Sequence, residues 1–470
     1  MNNNINKALA DIASCGHTVI ILSGIDITSK NFIGSDVDIL INKRSERAVY
    51  EKLKDHKFLL KRLEGGVSRG ICKQDSIYGY LDIDNGRSPC DDLKKVNNFL
   101  KSKYSSAGLH YLDGVDLYVY KLAKYSSCGY IRSYEQINRL KALYSHLNHN
   151  RKNDIEELIT ELFKKDNLAL ELHKNIKIGN GVGEKFVALR QKERNKSRII
   201  FKGGLGPKAH KFLFKISILI DRIRYRSFFS LPYIAIVGND GSGKSSRLDD
   251  IIKRYYKFDP LVMDMKPKSP YFVLWLRYRN YLIGLGKEIN EKGKNYQKFL
   301  WSIARKIFEI FDYIDRLYRY YLVKFYCNSG YCTGFFERYV TDRLRGEFTG
   351  IHGDQVPIEA HFPMPDGFVL LDVSERESLR RKPLDGHSYY ELNCKRENYL
   401  SLIKQMSRYK IVSAHQSPEE VTDEIISIYF DWAITKQQTK CKYSFPLVWD
   451  SNKQRNVIGK KADRVQEKIF

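Results

Sequence analysis

The chain has 470 residues, of which 43% are apolar or aromatic, and its 80 Lys and Arg outweigh 55 Asp and Glu to leave a formal charge of +25. That length exceeds one ordinary hydrophobic core and predicts two or three domains, while the composition excludes disordered, collagen-like and short-repeat classes. The positive field predicts anionic partners, whether nucleotides, nucleic acid or an anionic membrane surface, and does not choose among them.

The opening residues MNNNINKALADIASCGHT lack the basic start and apolar core of a signal peptide. No run approaches the roughly 18 apolar residues of a spanning helix, so a cytoplasmic protein is expected, with an anionic membrane surface as a peripheral contact. Eight cysteines are scattered, and the one close pair, Cys327 and Cys332, has no second pair at zinc spacing, which predicts thiols in a reducing compartment.

From His17 to Phe58 the pattern predicts a strand, a loop, a second strand carrying Asp36 and Asp38, then a helix from about Ser45. Alternation places both carboxylates on one face, where their repulsion calls for a cation, and hard oxygen ligands favour magnesium. A further strand, YGYLDIDNG, offers Asp82 and Asp84 with the same alternation. Three carboxylates converging from neighbouring strands suit a two-metal site that moves a nucleotidyl group. A plainer reading makes Gly34-Ser35-Asp36 a turn and the acids a solvated strand edge.

These residues, from Thr18 to Gly86, resemble the nucleotidyltransferase superfamily, whose signature is a Gly-Ser loop, a D-x-D strand and a later third acid. Here the place of the Gly-Ser pair holds Ser23-Gly24, in reverse order. The resemblance implies metal ligation by Asp36 and Asp38, with Asp82 as third acid and Asp84 as its rival. A retained fold without activity is a third reading.

From Val115 to Leu168 apolar residues recur at three- and four-residue spacing, predicting a helical cap on the first domain. Between Asn180 and Ser230 glycines alternate with basic residues, predicting a linker and a basic amphipathic helix that docks on a domain or lies on an anionic membrane. The expected boundaries are 1–175 for the first domain, 176–230 for the linker and helix, 231–435 for a second domain and 436–470 for a basic tail.

The second domain opens on YIAIVGNDGSGKSSRLDDII, a buried strand, a glycine-rich loop and a helix. Gly238-Asn239-Asp240-Gly241-Ser242-Gly243-Lys244-Ser245, followed by Ser246, fits G-x-x-x-x-G-K-[ST]. In that pattern backbone N–H groups cradle phosphate, the lysine reaches the β/γ-phosphates and the hydroxyl ligates magnesium. ATP and Mg²⁺ are therefore the expected cofactors. Next come a strand in PLVMDMKP and long helices at Tyr271 to Ile289 and Tyr296 to Phe325, crowded with aromatics and cations. The short strand in YCTGFFERY ends at Glu337-Arg338-Tyr339, where Arg338 can fork onto an acceptor phosphate and Glu337 can position an attacking oxygen or metal water. A buried strand, a helix, a basic loop around Arg380, Arg381 and Lys382, a last strand and a final helix complete an open parallel sheet.

From about Leu231 to Thr435 the chain resembles the thymidylate kinase-like branch of nucleoside monophosphate kinases, on GNDGSGKSS, ERY, PDGFVLLDVS followed by LRRK, and SPEEV. The resemblance implies that Asp240 contacts the acceptor sugar, that Glu337 stands in the acid position of a D-R-Y-like motif, and that Arg380 and Arg381 are lid arginines, since Gly241 fills the place of a loop arginine. Met265-Lys266-Pro267 replaces the family's E-P-G-like segment. The fusion of the two domains is similar to proteins of bacterial surface-polysaccharide gene clusters.

The expected fold is α/β: a C-terminal P-loop parallel sheet with flanking helices and an N-terminal α+β nucleotidyltransferase-like domain with its cap. The expected activity is ATP-dependent phosphoryl transfer to a nucleotide-type or related small-molecule acceptor. The alternatives are a metal-dependent nucleotidyltransferase regulated by the P-loop domain, or a catalytically reduced nucleotide-dependent binding protein. The oligomeric state stays open, a homodimer included.

Overall fold

The computed structural model describes residues 2–63 apart from 24, 27–30 and 33–35, then 67–85 apart from 75–76, followed by 91–127, 134–163, 168–178, 226–265, 295–337 with 339, 362–383 and 388–439. They form two compact units, Met1–Phe229 and Ser230–Phe470.

The first unit is built on a mixed six-stranded sheet. Helix α1 (Asn2–Ser14) leads into β1 (Thr18–Ser23), and a short ribbon of β2 (Ile25–Asp26) and β3 (Asn31–Phe32) precedes β4 (Asp36–Ile41). After α2 (Glu46–Asp55) come β5 (Leu59–Arg62), β6 (Ser68–Gln74), β7 (Ile77–Asp84), α3 (Asp91–Lys103), β8 (Gly108–Tyr111), α4 (Gly114–Ser127), α5 (Tyr134–Ser145), α6 (His149–Leu162), α7 (Leu168–Ile178) and α8 (Arg226–Phe229). The sheet order is β5-β6-β7-β4-β1-β8.

Alternation along each strand divides the core into two layers. Val37, Ile39 and Ile41 of β4 join Ile5, Leu9 and Ile12 of α1 and Val49 and Leu53 of α2 on one face. Leu40 joins Val119, Leu122 and Ala123 of α4 on the other, so even-numbered positions of β4 look toward α4. Phe228 and Phe229 of α8 pack on Tyr50, and the Arg62 guanidinium stacks 4.4 Å from the Phe229 ring. The remainder of the expected basic amphipathic helix lies outside the described residues.

The second unit is an all-parallel five-stranded sheet. Its elements are β9 (Tyr233–Gly238), α9 (Lys244–Arg254), β10 (Pro260–Asp264), α10 (Asn295–Asn328), β11 (Thr333–Glu337), β12 (Gly367–Asp372), α11 (Glu375–Arg381), α12 (Tyr389–Ile403), β13 (Tyr409–Ser413) and α13 (Pro418–Gln438). The order β10-β11-β9-β12-β13 puts β9 at the centre, with later strands added on both sides. The continuous apolar runs Tyr233–Val237 and Phe368–Leu371 are what a sheet covered on both faces requires. Helix α13 starts from a capping box, Ser417 with Glu420, and its Lys436 bonds the Leu231 carbonyl at 3.0 Å and Asp366 at 2.8 Å. Residues 436–438, expected in a tail, thus continue this helix, and Gln437 is buried.

Gly367 lies where β12 passes under the α13 indole, and a Cβ there would overlap the ring of Trp432. Gly367→Ala is expected to destabilise the protein by about 1–3 kcal/mol, the range for overpacking a filled core. A lowered melting temperature is the readout, and an unchanged one would contradict this packing. The Cys327 and Cys332 thiols are buried with their sulfurs 3.9 Å apart, and no helix among the described residues is long and apolar enough to cross a membrane.

Candidate functional site

The carboxyl ends of β9, β11 and β12 meet where the chain switches from adding strands on one side of β9 to adding them on the other. In an open parallel sheet this is where ligands bind. The loop there depends on glycine. Gly238, Gly241 and Gly243 have φ of 151°, 84° and 87°, the left-handed half that side chains resist. A Cβ on Gly238 would lie 2.6 Å from the Leu371 carbonyl oxygen, and one on Gly241 2.8 Å from that of Ser378.

Helix α9 begins at Lys244, so its first N–H groups point from the helix start with no intrahelical acceptors. Lys244 is buried, and its Nζ donates to the carbonyls of Gly238 at 2.7 Å and Asn239 at 2.8 Å. The Asn239 amide donates to the Leu392 carbonyl at 3.0 Å. The Asn239 Oδ1 and Ser242 Oγ atoms are buried without a hydrogen-bond partner among the described residues. Ser245 and Ser246 are exposed, and the Ser245 hydroxyl donates to a carboxylate oxygen of Glu337 at the end of β11. In register, Glu337 stands beside Asp264 on β10 and Ile236 on β9. Hydroxyl and carboxylate together offer hard oxygen donors beside a helix start that can hold an anion.

Helix α11 closes one side of this loop. The Ser378 hydroxyl bonds the Asp240 carbonyl, and Arg381 reaches the Gly241 carbonyl at 3.5 Å and that of Ala414 at 2.8 Å. Arg380 and Arg381 both bond Glu377, at 2.7 Å, and drive its carboxyl down to about 2, with Arg380 the larger influence. The two arginines were expected in a basic loop and instead form the last turn of α11. Their i, i+3 and i, i+4 pairs with Glu377 sustain that turn as far as Lys382. Arg381 is drawn against the loop, whereas the Arg380 side chain is 74% exposed. Arg396 of α12 forks onto Asp372 at 2.6 and 2.8 Å and reaches Glu375 at 3.4 Å, bracing the end of β12. Arg338 lies outside the described residues, while Tyr339 is buried with its hydroxyl on the Pro363 carbonyl.

In the first unit the β4–β7 register sets Asp38 directly beside Asp82 and Asp84 beside Leu40, two pairs farther along. Asp82 is therefore the acid that adjoins Asp38, while Asp84 accepts from Asn97 at 3.2 Å. Asp36 is the first residue of β4, and its side chain lies outside the described set, as does the Gly34-Ser35 turn. Cations of the chain itself surround the two acids. Arg69 forks onto Asp82 at 2.6 and 2.8 Å, while Lys124 and Lys121 of α4 approach Asp38 at 3.0 and 3.9 Å.

Burial pushes the Asp82 carboxyl up despite Arg69. Burial, with Lys124 nearby, pulls the Lys121 ammonium down to about 8. Burial also opposes the Lys124 charge, but Tyr120 and Asp38 outweigh it and raise that group. Arg69 and Lys124 hold carboxylate oxygens that a metal would take. Among the described residues no group of three or more His, Cys, Asp or Glu side chains could hold a metal ion.

Sequence reasoning missed Lys121, Lys124, Arg69, Ser378 and Arg396. The three-residue spacing of Lys121 and Lys124 on an apolar helix was the available signal. The others depend on pairings between distant segments. No protein-family model matches the chain, and no curated protein matches it. The fold is mixed α/β, with one all-parallel and one mixed sheet.

Proposed function

We propose that the second unit is a P-loop, thymidylate kinase-like phosphoryl transferase that moves the γ-phosphoryl group of ATP to a nucleotide-type or related acceptor. The observation that carries this reading is the glycine-dependent turn from β9 into α9, with Lys244 folded over its carbonyls and Ser245 bonded to Glu337. Backbone N–H groups of Gly241 to Ser245 cradle the phosphates of the nucleotide. Lys244 exchanges its two carbonyl acceptors for β/γ-phosphate oxygens. Ser245 and Glu337 suit Mg²⁺, which, when bound, supplies charge neutralisation across those oxygens. By the resemblance Asp240 contacts the acceptor sugar and Arg338, outside the described residues, is assigned to the acceptor phosphate, while Arg381 meets charge that develops on the transferring group.

The test is to incubate the purified chain with γ-labelled ATP, Mg²⁺ and a panel of nucleoside monophosphates and phosphorylated sugars. Label is expected on one acceptor class, and absence of both nucleotide binding and transfer would overturn the proposal.

A second reading places nucleotidyl transfer at Asp36, Asp38 and Asp82 in the first unit, as in a nucleotidyltransferase-like domain. The adjacency of Asp38 and Asp82 favours it, but the described residues there do not form a metal cradle, because Arg69 and Lys124 occupy the acids. Asp36→Asn with Asp38→Asn is expected to leave γ-phosphoryl transfer intact, since these acids belong to the other compact unit, and to abolish any α-phosphate transfer. Loss of both activities in a folded protein would instead indicate one composite site.

A further inference from the structure

Four charged residues stand in one row across the mixed sheet of the first unit. The registers set Lys61 of β5 opposite Arg69 of β6, Arg69 opposite Asp82 of β7, and Asp82 beside Asp38 of β4. Residues paired in this way point to one face of the sheet, and the even-numbered positions of β4 make it the face toward α4. Lys121 and Lys124, three positions apart on α4, meet the row at Asp38. The row is open to water, since the side chains of Asp82 and Lys124 are about a quarter exposed.

Each of the two acids has one cation in hydrogen-bonding range: Arg69 forks onto Asp82, and Lys124 donates to Asp38 at 3.0 Å. Lys121 is left over. Its ammonium lies 3.9 Å from Asp38, beyond a hydrogen bond, and makes none among the described residues, although its side chain is only 16% exposed. Arg139 of α5 adds its charge to the same neighbourhood. Lys61, Arg69, Lys121, Lys124 and Arg139 therefore outnumber the acids even when Asp36 and Asp84 are counted with Asp38 and Asp82. A sheltered ammonium without a hydrogen-bonded partner is costly, and an anion relieves that cost.

We infer that this row is a metal-independent site for a phosphate group, held by Lys121 and Lys124 with Arg69 beside them. A divalent cation at the two acids would have to displace a bidentate guanidinium and an ammonium, and would enter a field that is already positive. A phosphate dianion does the reverse. It offers several oxygens to the three N–H donors of Lys121, shares Lys124, and leaves both ion pairs in place. Lysine suits this ligand, because its compact charge and rotatable donors follow a tetrahedral oxyanion. The ligand class is therefore a phosphate ester or pyrophosphate taken up without metal. The inference does not depend on the phosphoryl-transfer reading of the second unit, and it gives the first unit a binding role in place of a metal-dependent one.

The test is acetylation of the full native chain by an N-hydroxysuccinimide ester in excess EDTA, read lysine by lysine by mass spectrometry. Pyrophosphate, ATP and glucose 1-phosphate are titrated separately, with acetate at equal ionic strength as the control. At least one of the three is expected to slow modification of Lys121 by about fivefold once it exceeds its dissociation constant about fourfold. Exposed Lys177 of α7 is expected to keep its rate. Reading each lysine separates this site from the glycine-rich loop, whose occupation would register at Lys244. Protection by pyrophosphate makes the phosphate group itself the ligand, protection by ATP alone a nucleotide, and protection by glucose 1-phosphate alone a sugar phosphate, and each supports the inference. In a Lys244→Ala chain, Lys121→Gln is then expected to weaken EDTA-resistant binding of the protecting compound at least about tenfold, the scale of one lost hydrogen bond to a charged group. Lys121 unprotected by all three, protection equalled by acetate, or undiminished binding by the Lys121→Gln chain would overturn the inference. So would protection that requires Mg²⁺ in place of EDTA, which would make the row a metal site.

Discussion

Lys244→Ala is expected to abolish γ-phosphoryl transfer and to weaken ATP binding. The lysine is buried at the start of α9, its charge met by two carbonyls 2.7 and 2.8 Å away. In the proposed reaction it moves from those carbonyls to the phosphates, where it opposes charge that grows toward the transition state. Removing one such preorganised donor costs about 10²–10³ in turnover, and a full unit of positive charge at a polyphosphate costs no less. The loop itself survives the change, because its course is set by the positive φ of Gly238, Gly241 and Gly243 and by the Asn239 bond to Leu392. Initial rates and nucleotide affinity, measured beside a circular dichroism spectrum, decide the matter. A folded variant with undiminished turnover would sink the kinase reading.

Arg381→Ala is expected to lower turnover by roughly 10³, the scale of an arginine that meets transition-state charge, with little change in ATP affinity. Arg380→Ala is expected to lose far less. The difference follows from their placement on one helical turn: Arg381 reaches the Gly241 and Ala414 carbonyls, while Arg380 extends into water with Glu377 as its partner. Arg381→Lys is expected to recover little, because an ammonium cannot reproduce the planar fork. Steady-state kinetics of the two single variants provides the check. If Arg381→Ala loses ATP affinity and keeps its turnover number, the arginine merely props the loop.

The strands and the glycine-rich turn of the second unit were legible because their information is local. Tyr233–Val237 is an unbroken apolar run, and the loop behind it has its glycines where the backbone needs positive φ. The Asp36 and Asp38 strand was legible from period two alone, and its partner strand from Asp82 and Asp84. Helix α1 was passed over because its start is rich in asparagine, although Ile5, Ala8, Leu9 and Ile12 have helical spacing and are all buried. Strand β5 was hidden by Lys61 and Arg62, charged residues that its fold buries and that no periodicity rule would place in a core. The ion pairing of Asp38 was beyond the sequence, because its partner Lys124 lies 86 positions away. Only the register of the sheet brings them together.

The central position of β9 also bears on how the second unit is made. Its neighbours are β11, through pairs such as Tyr233 with Gly334, and β12, through pairs such as Leu371 with Gly238. As the chain emerges during synthesis, β9 comes first and must wait for about a hundred residues before either flank can be closed. Until then both its edges carry unpaired backbone groups on an apolar ribbon, the state most open to wrong pairing with another chain. The tight turn at Gly238 waits longer still, since the carbonyl it presses against belongs to Leu371. A nascent chain stopped before Leu371 therefore has every residue of the glycine-rich loop and lacks the strand that presses it into shape, so a nucleotide bound as proposed would not assist the early stages of folding and would only reward their completion.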